Sequence, residues 1–301
     1  MNRAPVVRYR SRDEDSGRWL DFPFRSGDIV ISTRSKSGTT WVQMIAAMLV
    51  IGSPELPVPL GELSPWLDWL VSSRGSVFGQ LEAQSHRRVI KTHTPLDGLP
   101  LDERATYIVV ARHPLDMAVS LYHQQANLDR VRLRELTGQA PPAGPELTPP
   151  PLRAWLLSWI DWSGPPAEAL DSLPGVMWHL SDAWLLRDEA NVVLVRYEDL
   201  WADLEGEMRR LASRLGAEPA AEAWPALVDA ARFESMAAQA ARVVPDGLGV
   251  LKDSARFFRR GSPGEGREVL SSGEVERYLE RVATMAPTDL LAWLHRDPLA
   301  S

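Results

Sequence analysis

Four short apolar runs punctuate the chain, at residues 28–33, 88–92, 106–111 and 192–196, each carrying Val or Ile and each ending in polar or turn-forming residues. Runs of this length predict strands, and apolar side chains on consecutive positions predict strands buried on both faces. Elsewhere the apolar residues recur at helical spacing. Trp41, Ile45, Met48 and Leu49 set a helix over 39–49, and further helices are predicted over 114–124, 176–187, 201–215 and 273–285. Strands that alternate with helices imply an α/β fold, a single domain whose central parallel sheet is flanked by helices. Ligands of such sheets bind at the carboxyl edge, near the switch in strand order. Lys36, His93, Arg112 and Tyr197 all fall at or just past the end of a predicted strand.

Composition narrows the classes. A chain of 301 residues with 45% hydrophobic residues can bury one large core, so residues 1–301 read as one domain with an N-terminal extension over about 1–26. A net charge of −7 argues against a general nucleic-acid or anionic-membrane surface, so any polyanion site must be local. With no Cys there is no disulfide, thiol nucleophile or thiolate-bound zinc, which fits a cytoplasmic chain. Residues 1–20 lack the apolar centre of a signal peptide, and the longest apolar stretch, 41–51, is too short to span a bilayer.

Two segments stand outside the alternating pattern. Residues 137–151 include six prolines and one glycine over 141–151, which excludes a regular element and predicts a solvated connection or a lid. Trp155, Trp159 and Trp162 then repeat at helical spacing, a stripe expected to face the core or to wall an acceptor pocket. The helix over 273–285 is free to cap the core or to serve a homodimer.

The chemistry concentrates first at 29–41, Ile-Val-Ile-Ser-Thr-Arg-Ser-Lys-Ser-Gly-Thr-Thr-Trp. Lys36, a glycine at 38 and hydroxyls at Ser37, Thr39 and Thr40 lie between strand and helix. Backbone N–H groups at a helix start favour anions, Gly38 lets a phosphate approach the main chain, and Lys36 adds a full charge. A plain strand-to-helix corner with Ser and Thr caps is the competing reading. In a Walker loop the Lys follows the second Gly, whereas here it precedes the only one. The Lys-Ser-Gly-Thr-Thr-Trp order resembles the 5′-phosphosulfate loop of sulfotransferases that use 3′-phosphoadenosine 5′-phosphosulfate (PAPS). Arg34-Ser35 stands where that family has Tyr-Pro, which leaves the strand exit less constrained.

Other motifs follow in the family's order. Alternation along Arg88-Val-Ile-Lys91-Thr-His93-Thr-Pro95 puts Lys91 and His93 on one side, and the neighbouring cation keeps the imidazole neutral and able to accept a proton. With Leu99-Pro100 this stretch resembles the family's Lys-Thr-His-x-Pro motif, which implies His93 as general base and Lys91 as a second electrostatic contributor. Arg112-His-Pro-Leu-Asp116 and Ser120 resemble the 3′-phosphate motif, with His113 in place of Asn. Tyr197-Glu-Asp resembles the strand end that meets the adenine. By the same resemblance Phe233 and Trp41 cover the two faces of the base, although Ala231 replaces the family's Thr. Phe257-Phe-Arg259-Arg260-Gly261 through Glu265 resembles the C-terminal phosphate loop; Gly266 replaces its Trp, which predicts a looser grip on the nucleotide.

The resemblance implies transfer of a sulfuryl group from PAPS to a hydroxyl, without a metal, giving a sulfate ester and 3′,5′-adenosine bisphosphate (PAP). Lys36 would meet the charge on the leaving phosphate, and Arg112, Ser120, Arg259 and Arg260 the 3′-phosphate. Trp66, Trp69, Phe78 and the Trp155 stripe point to a small, apolar or aromatic acceptor. The alternatives are a P-loop kinase using ATP and magnesium, and a nucleotide-binding scaffold that has lost turnover.

Overall fold

The computed structural model describes residues 2–140, 148–244 and 246–297. Its centre is a parallel sheet of β1 (Ile29–Thr33), β2 (Val89–Thr92), β3 (Thr106–Ala111) and β4 (Val192–Arg196), in the order β2-β1-β3-β4. β1 and β2 begin one residue later than the apolar pattern predicts. The side chains of Asp28 and Arg88 turn to each other there, in a buried ion pair with Nε–Oδ1 at 2.8 Å.

Strand residues alternate between two cores. Val30, Ile90, Tyr107, Val109 and Val192 face one side, whereas Ile29, Ile31, Val89, Ile108, Val110 and Val193 face the other. The second side is covered by α1 (Thr39–Ile51). The first is covered by α2 (Pro114–Asn127), α3 (Leu152–Asp161) and α4 (Leu173–Leu185). The predicted helix over 201–215 divides at Asp203, which caps α5 (Leu204–Leu215) by accepting from the Gly206 N–H at 2.9 Å. Farther along, α6 (Ser272–Ala283) opens with a capping box and turns Tyr278 and Val282 into the core, so it caps the fold on that face.

The N-terminal extension is built into the domain: Trp19 is fully buried and its Nε1 donates to Asp68, and Glu14 bridges to Trp69. Residues 141–147 of the proline-rich stretch, for which the sequence predicts a solvated connection or a lid, lie outside the described residues.

The strand order sets the position of the site. The chain leaves β1 for β2 on one side and later places β3 on the other, so the crevice between β1 and β3 opens at their carboxyl ends. Arg112, just past β3, donates from Nη1 to the carbonyl of Lys36, just past β1, at 3.1 Å.

Candidate active site

A cavity of about 950 Å³ opens at that edge. Lys36, Gly38, Thr39, Thr40, Trp41, Lys91, His93, Arg112, Ser120, Tyr197, Phe233, Phe257, Arg259, Arg260 and Gly261 all line it. Ser37 does not. It is buried behind the loop, where its N–H donates to the Arg34 carbonyl at 3.2 Å.

The loop after β1 is tightly determined. Lys36 takes a left-handed φ of 64°, unusual for a residue with a Cβ, and Gly38 follows at 104°. A Cβ on Gly38 would lie 2.8 Å from the Tyr197 ring, so only glycine lets the loop pass under that tyrosine. The strand exit is also more constrained than Arg34-Ser35 suggests. The buried Arg34 guanidinium donates to the His93 carbonyl and, at 2.8 Å, to Asp171, whose carboxylate also accepts the Ser35 N–H at 3.2 Å. A cation at 34 therefore ties the ends of β1 and β2 together.

That tie orients the histidine. His93 is buried, and its Nδ1 lies 2.6 Å from the Thr33 carbonyl. A carbonyl only accepts, so Nδ1 carries the proton and Nε2 keeps the lone pair for a ligand. Burial first, then the charges of Lys91 and Arg34, hold the imidazole pKa well below its ordinary value. Trp66 packs edge-on against the ring, with centroids 4.5 Å apart.

Two ammonium groups share the cavity. Lys36 Nζ sits 3.9 Å from the Phe257 ring centroid and Lys91 Nζ 3.9 Å from that of Trp66. Burial, helped by the charges of Arg112, Lys91 and Arg259, pushes the Lys36 pKa down to about 7. Lys91 is pushed by burial to about 8, although Glu14 and Asp68 act in the opposite direction. A buried ammonium at Lys36 that three neighbouring cations also oppose marks a place prepared for a polyanion. Beyond it, the Arg112 guanidinium stacks 4.2 Å above the Tyr197 ring, and its buried Nε has no partner among the described residues. A phosphate would supply one.

The C-terminal loop is anchored instead of loose. Asp116, from the 3′-phosphate motif, accepts the N–H groups of Gly264 and Gly266, both at 2.7 Å. Gly266 packs so closely on α2 that a Cβ would lie 2.5 Å from the Leu115 backbone, so a larger side chain has no room there. Tyr197 Oη donates to the Gly261 carbonyl at 2.8 Å. Arg259 is paired with Glu265, and Arg260 with Glu268 at 2.7 Å.

Sequence reasoning missed Glu14, Arg34, Asp68, Asp171 and Gln124. Asp68 accepts from Thr92 at 2.5 Å and Thr94 at 2.6 Å, which braces the strand end that carries His93. Gln124 accepts from Lys36 Nζ at 3.4 Å. Arg34 lies within the loop motif but at a position where this chain departs from it, and the other four lie outside any local motif, so only the register of distant segments brings them in. Of the proposed acceptor aromatics, Trp66 and Trp69 line the cavity, stacked at 4.9 Å. Phe78 instead meets Phe22 in the core, Trp155 packs on Tyr122, and Trp159 is buried with its Nε1 on the Asp171 carbonyl. These rings are taken up by packing because their neighbours are apolar too. Among the described residues no cluster of three or more His, Asp or Glu side chains could hold a metal ion, and no helix is long and apolar enough to cross a membrane.

Comparison with known proteins speaks to family and fold. The sulfotransferase domain family model matches residues 26–284. A glycolipid sulfotransferase of Mycobacterium bovis (strain BCG / Pasteur 1173P2) is 39% identical, over 96% of this chain and 94% of that protein. Mouse sulfotransferase SULT7A1, solved in complex with PAP, superposes with a TM-score of 0.68 at 19% identity, over 93% of this chain and 92% of that one. Retinol dehydratase in complex with retinol and PAP gives 0.67 at 19%, over 94% and 86%. The structural matches speak to the fold; the family match and the mycobacterial relative decide the membership, and with it the kinase reading falls. The chain belongs to the sulfotransferase domain family, the family of PAPS-dependent enzymes that its motifs resemble.

Proposed function

We propose that this chain transfers the sulfuryl group of PAPS to a hydroxyl of an amphiphilic acceptor, a glycolipid with a hydroxylated head and an apolar tail. The observation that carries the reaction is the placement of His93, its Nδ1 committed to the Thr33 carbonyl and its Nε2 left for a ligand, in the same cavity as Lys36 and Lys91. Nε2 takes the hydroxyl proton as the acceptor oxygen forms its bond to sulfur. The bond from sulfur to the bridging phosphate oxygen breaks, and its electron pair leaves on the 5′-phosphate of PAP. Lys36, with the loop N–H groups and Thr40, meets that charge, and Lys91 lies on the same wall. Arg112, Ser120, Arg259 and Arg260 are assigned to the 3′-phosphate, and Trp41, Tyr197 and Phe233 to the adenine.

The acceptor class rests on the glycolipid sulfotransferase relatives and on the mixed cavity wall. Leu121, Leu128, Leu133 and Leu251 offer apolar surface, and Asp13, Glu14 and Gln80 offer hydrogen-bond acceptors for hydroxyls. A test is incubation with PAPS and a series of alkyl glycosides of increasing chain length, beside phenols and free sugars, read by mass for a gain of one SO₃. Transfer that improves with chain length is expected. Transfer to phenols alone would return the acceptor to the small aromatic class, and none in a single turnover with any acceptor would favour the scaffold.

A further inference from the structure

Three carboxylates, Asp13, Glu14 and Asp15, follow one another where the N-terminal segment passes the cavity. Two of them have partners. Asp13 accepts from Gln139 Nε2 at 2.9 Å, and Asp15 accepts from Arg8 at 2.9 and 2.7 Å. Glu14 lines the cavity, and its carboxyl group has neither a hydrogen bond nor an ion pair among the described residues. Its main chain, by contrast, is fully engaged: the N–H donates to Ser11 Oγ at 3.0 Å, and the carbonyl accepts the Ser11 N–H at 2.9 Å. A fixed backbone that presents an idle polar side chain to a cavity is suited to holding a ligand.

Two steps of main-chain pairing set the distance from Glu14 to the reacting end. Residues 65–67 lie along β2, through the Trp66–Lys91 bridge and the Leu67 N–H on the Lys91 carbonyl at 3.1 Å. Residues 13–15 lie in turn along 68–70: Glu14 bridges to Trp69, the Leu70 N–H donates to the Asp13 carbonyl at 2.7 Å, and the Asp15 N–H to the Asp68 carbonyl at 2.9 Å. Each step is one strand spacing, so the main chains of Glu14 and Lys91 stand roughly 10 Å apart across the wall. The stacked, half-buried rings of Trp66 and Trp69 occupy the interval, and Trp66 also meets the His93 ring. A head that reaches both His93 and Glu14 must carry more than one hydroxyl. Burial, opposed by Arg34 and Lys91 and aided by Asp68 and Asp171, pushes the Glu14 pKa up to about 8, so near neutrality it is a carboxylic acid that donates as well as accepts. That suits a neutral hydroxyl, whereas a cationic head would be repelled by Lys36 and Lys91 in the same cavity.

We propose that Glu14 sets the acceptor head: its carboxyl group binds a second hydroxyl while His93 takes the proton of the first, so that the chain selects a polyhydroxylated head over a simple alcohol. The proposal rests on the hydroxylated head of the amphiphilic-acceptor reading and is independent of its apolar tail. It also gives the N-terminal segment a part in the site, since the buried Trp19, with its Nε1 on Asp68, holds that segment against 68–70.

The test compares octyl glucoside with 1-octanol, which share a tail and differ in the head, for wild type, Glu14→Ala and Glu14→Gln. Two quantities are read: kcat/KM for transfer from PAPS, and calorimetric affinity for the PAP-loaded chain, which needs no turnover. The ratio of glucoside to alcohol should fall by on the order of 10- to 100-fold in Glu14→Ala, mostly through KM. In Glu14→Gln it should stay within a few-fold of wild type, because an amide donates and accepts as a neutral carboxyl does. The rise in melting temperature with PAP should be shared by all three chains, which shows that the fold is kept. A ratio unchanged in Glu14→Ala overturns the proposal, as does wild type that neither binds nor sulfates the glucoside. So does an equal fall for both acceptors, which would make Glu14 a brace for Trp69. Tight octylamine binding that Glu14→Ala abolishes would overturn it too, by making the group a cation site. If free glucose serves as well as octyl glucoside and the Glu14 effect persists, the apolar tail fails and this assignment stands.

Discussion

Lys36 and Lys91 stand in the cavity with no carboxylate in ion-pair range among the described residues, whereas Arg259 and Arg260 at its other end are each closed onto a glutamate. The first pair is enclosed by the cavity wall, and burial lowers both pKa values, helped at Lys36 by the neighbouring cations. The second lies on an exposed loop. A buried cation pair without counter-ions is costly in the free protein, and that cost is recovered only when an anion arrives or a negative charge develops. An exposed cation paired with a carboxylate costs little and can exchange partners. The difference separates a rigid end suited to chemistry from an adaptable end suited to recognition.

His93 is the sharpest way to break that assignment. His93→Asn keeps a polar side chain but removes the proton acceptor, so PAP affinity should hold while transfer to an alcohol falls by on the order of 100- to 10,000-fold. A phenol acidic enough to be ionised already should lose far less. A variant within a few-fold of wild type on an alcohol would leave His93 with a structural role only.

The legibility of the molecule follows the same division. All four strands and the helix after β1 could be read from sequence because each depends on its own apolar pattern; the strand ends are displaced only where Asp28 and Arg88 pair, and the helix runs two residues further, to Ile51. Lys36, Lys91 and Arg112 were legible because short-range order fixes them at strand ends. Arg34 was misread as slack, since its partners, His93 and Asp171, are 59 and 137 residues away. The close packing of Gly266 was not legible for a similar reason. Its role depends on how closely Leu115 approaches, and no local pattern carries that distance.

Asp116 links the two ends and tests whether the recognition end is held from α2. Asp116→Ala leaves the N–H groups of Gly264 and Gly266 without their acceptor, and each loss of that kind is worth about 1–3 kcal/mol. PAP affinity should fall by roughly 10- to 100-fold if about 1.4–2.8 kcal/mol of that combined cost appears as lost loop order. Affinity for a nucleotide without the 3′-phosphate should change little. Equal losses for both nucleotides, by calorimetry, would mean that Asp116 supports the whole site.

Acidity sharpens the comparison from the buried end. Lys36 titrates at about 7 in the free protein, below the ordinary 10.5, so above pH 7 it is increasingly neutral. A bound polyanion favours the charged form and raises that pKa, so PAP binding near pH 8 should take up protons. Affinity should fall by up to about tenfold per pH unit above pH 7, until the pKa of the complex is reached. For folding the sign is opposite: between about 7 and 10.5 the unfolded chain holds the Lys36 proton and the native state does not. This lysine therefore makes the free protein more stable as pH rises through that window. Calorimetry in buffers of different ionisation enthalpy measures the proton uptake, and binding without it would remove Lys36 from the phosphate site.

The smallest effect lies at the exposed end. Arg259 and Glu265 form a bidentate pair on the cavity rim, and the carboxylate occupies the guanidinium face that a 3′-phosphate would use. Glu265→Gln keeps the size and much of the hydrogen bonding but removes the competing charge. Partly exposed pairs of this kind are worth about 0.2–1 kcal/mol, so PAP should bind up to roughly fivefold more tightly. Asp116 still holds Gly264 and Gly266, so the loop keeps its course. The gain should shrink as salt is added, because screening weakens the ion pair and the phosphate contact alike. A several-fold loss of PAP affinity would reverse the reading: the glutamate would then orient Arg259 for the phosphate, and the adaptable end would be as preorganised as the buried one.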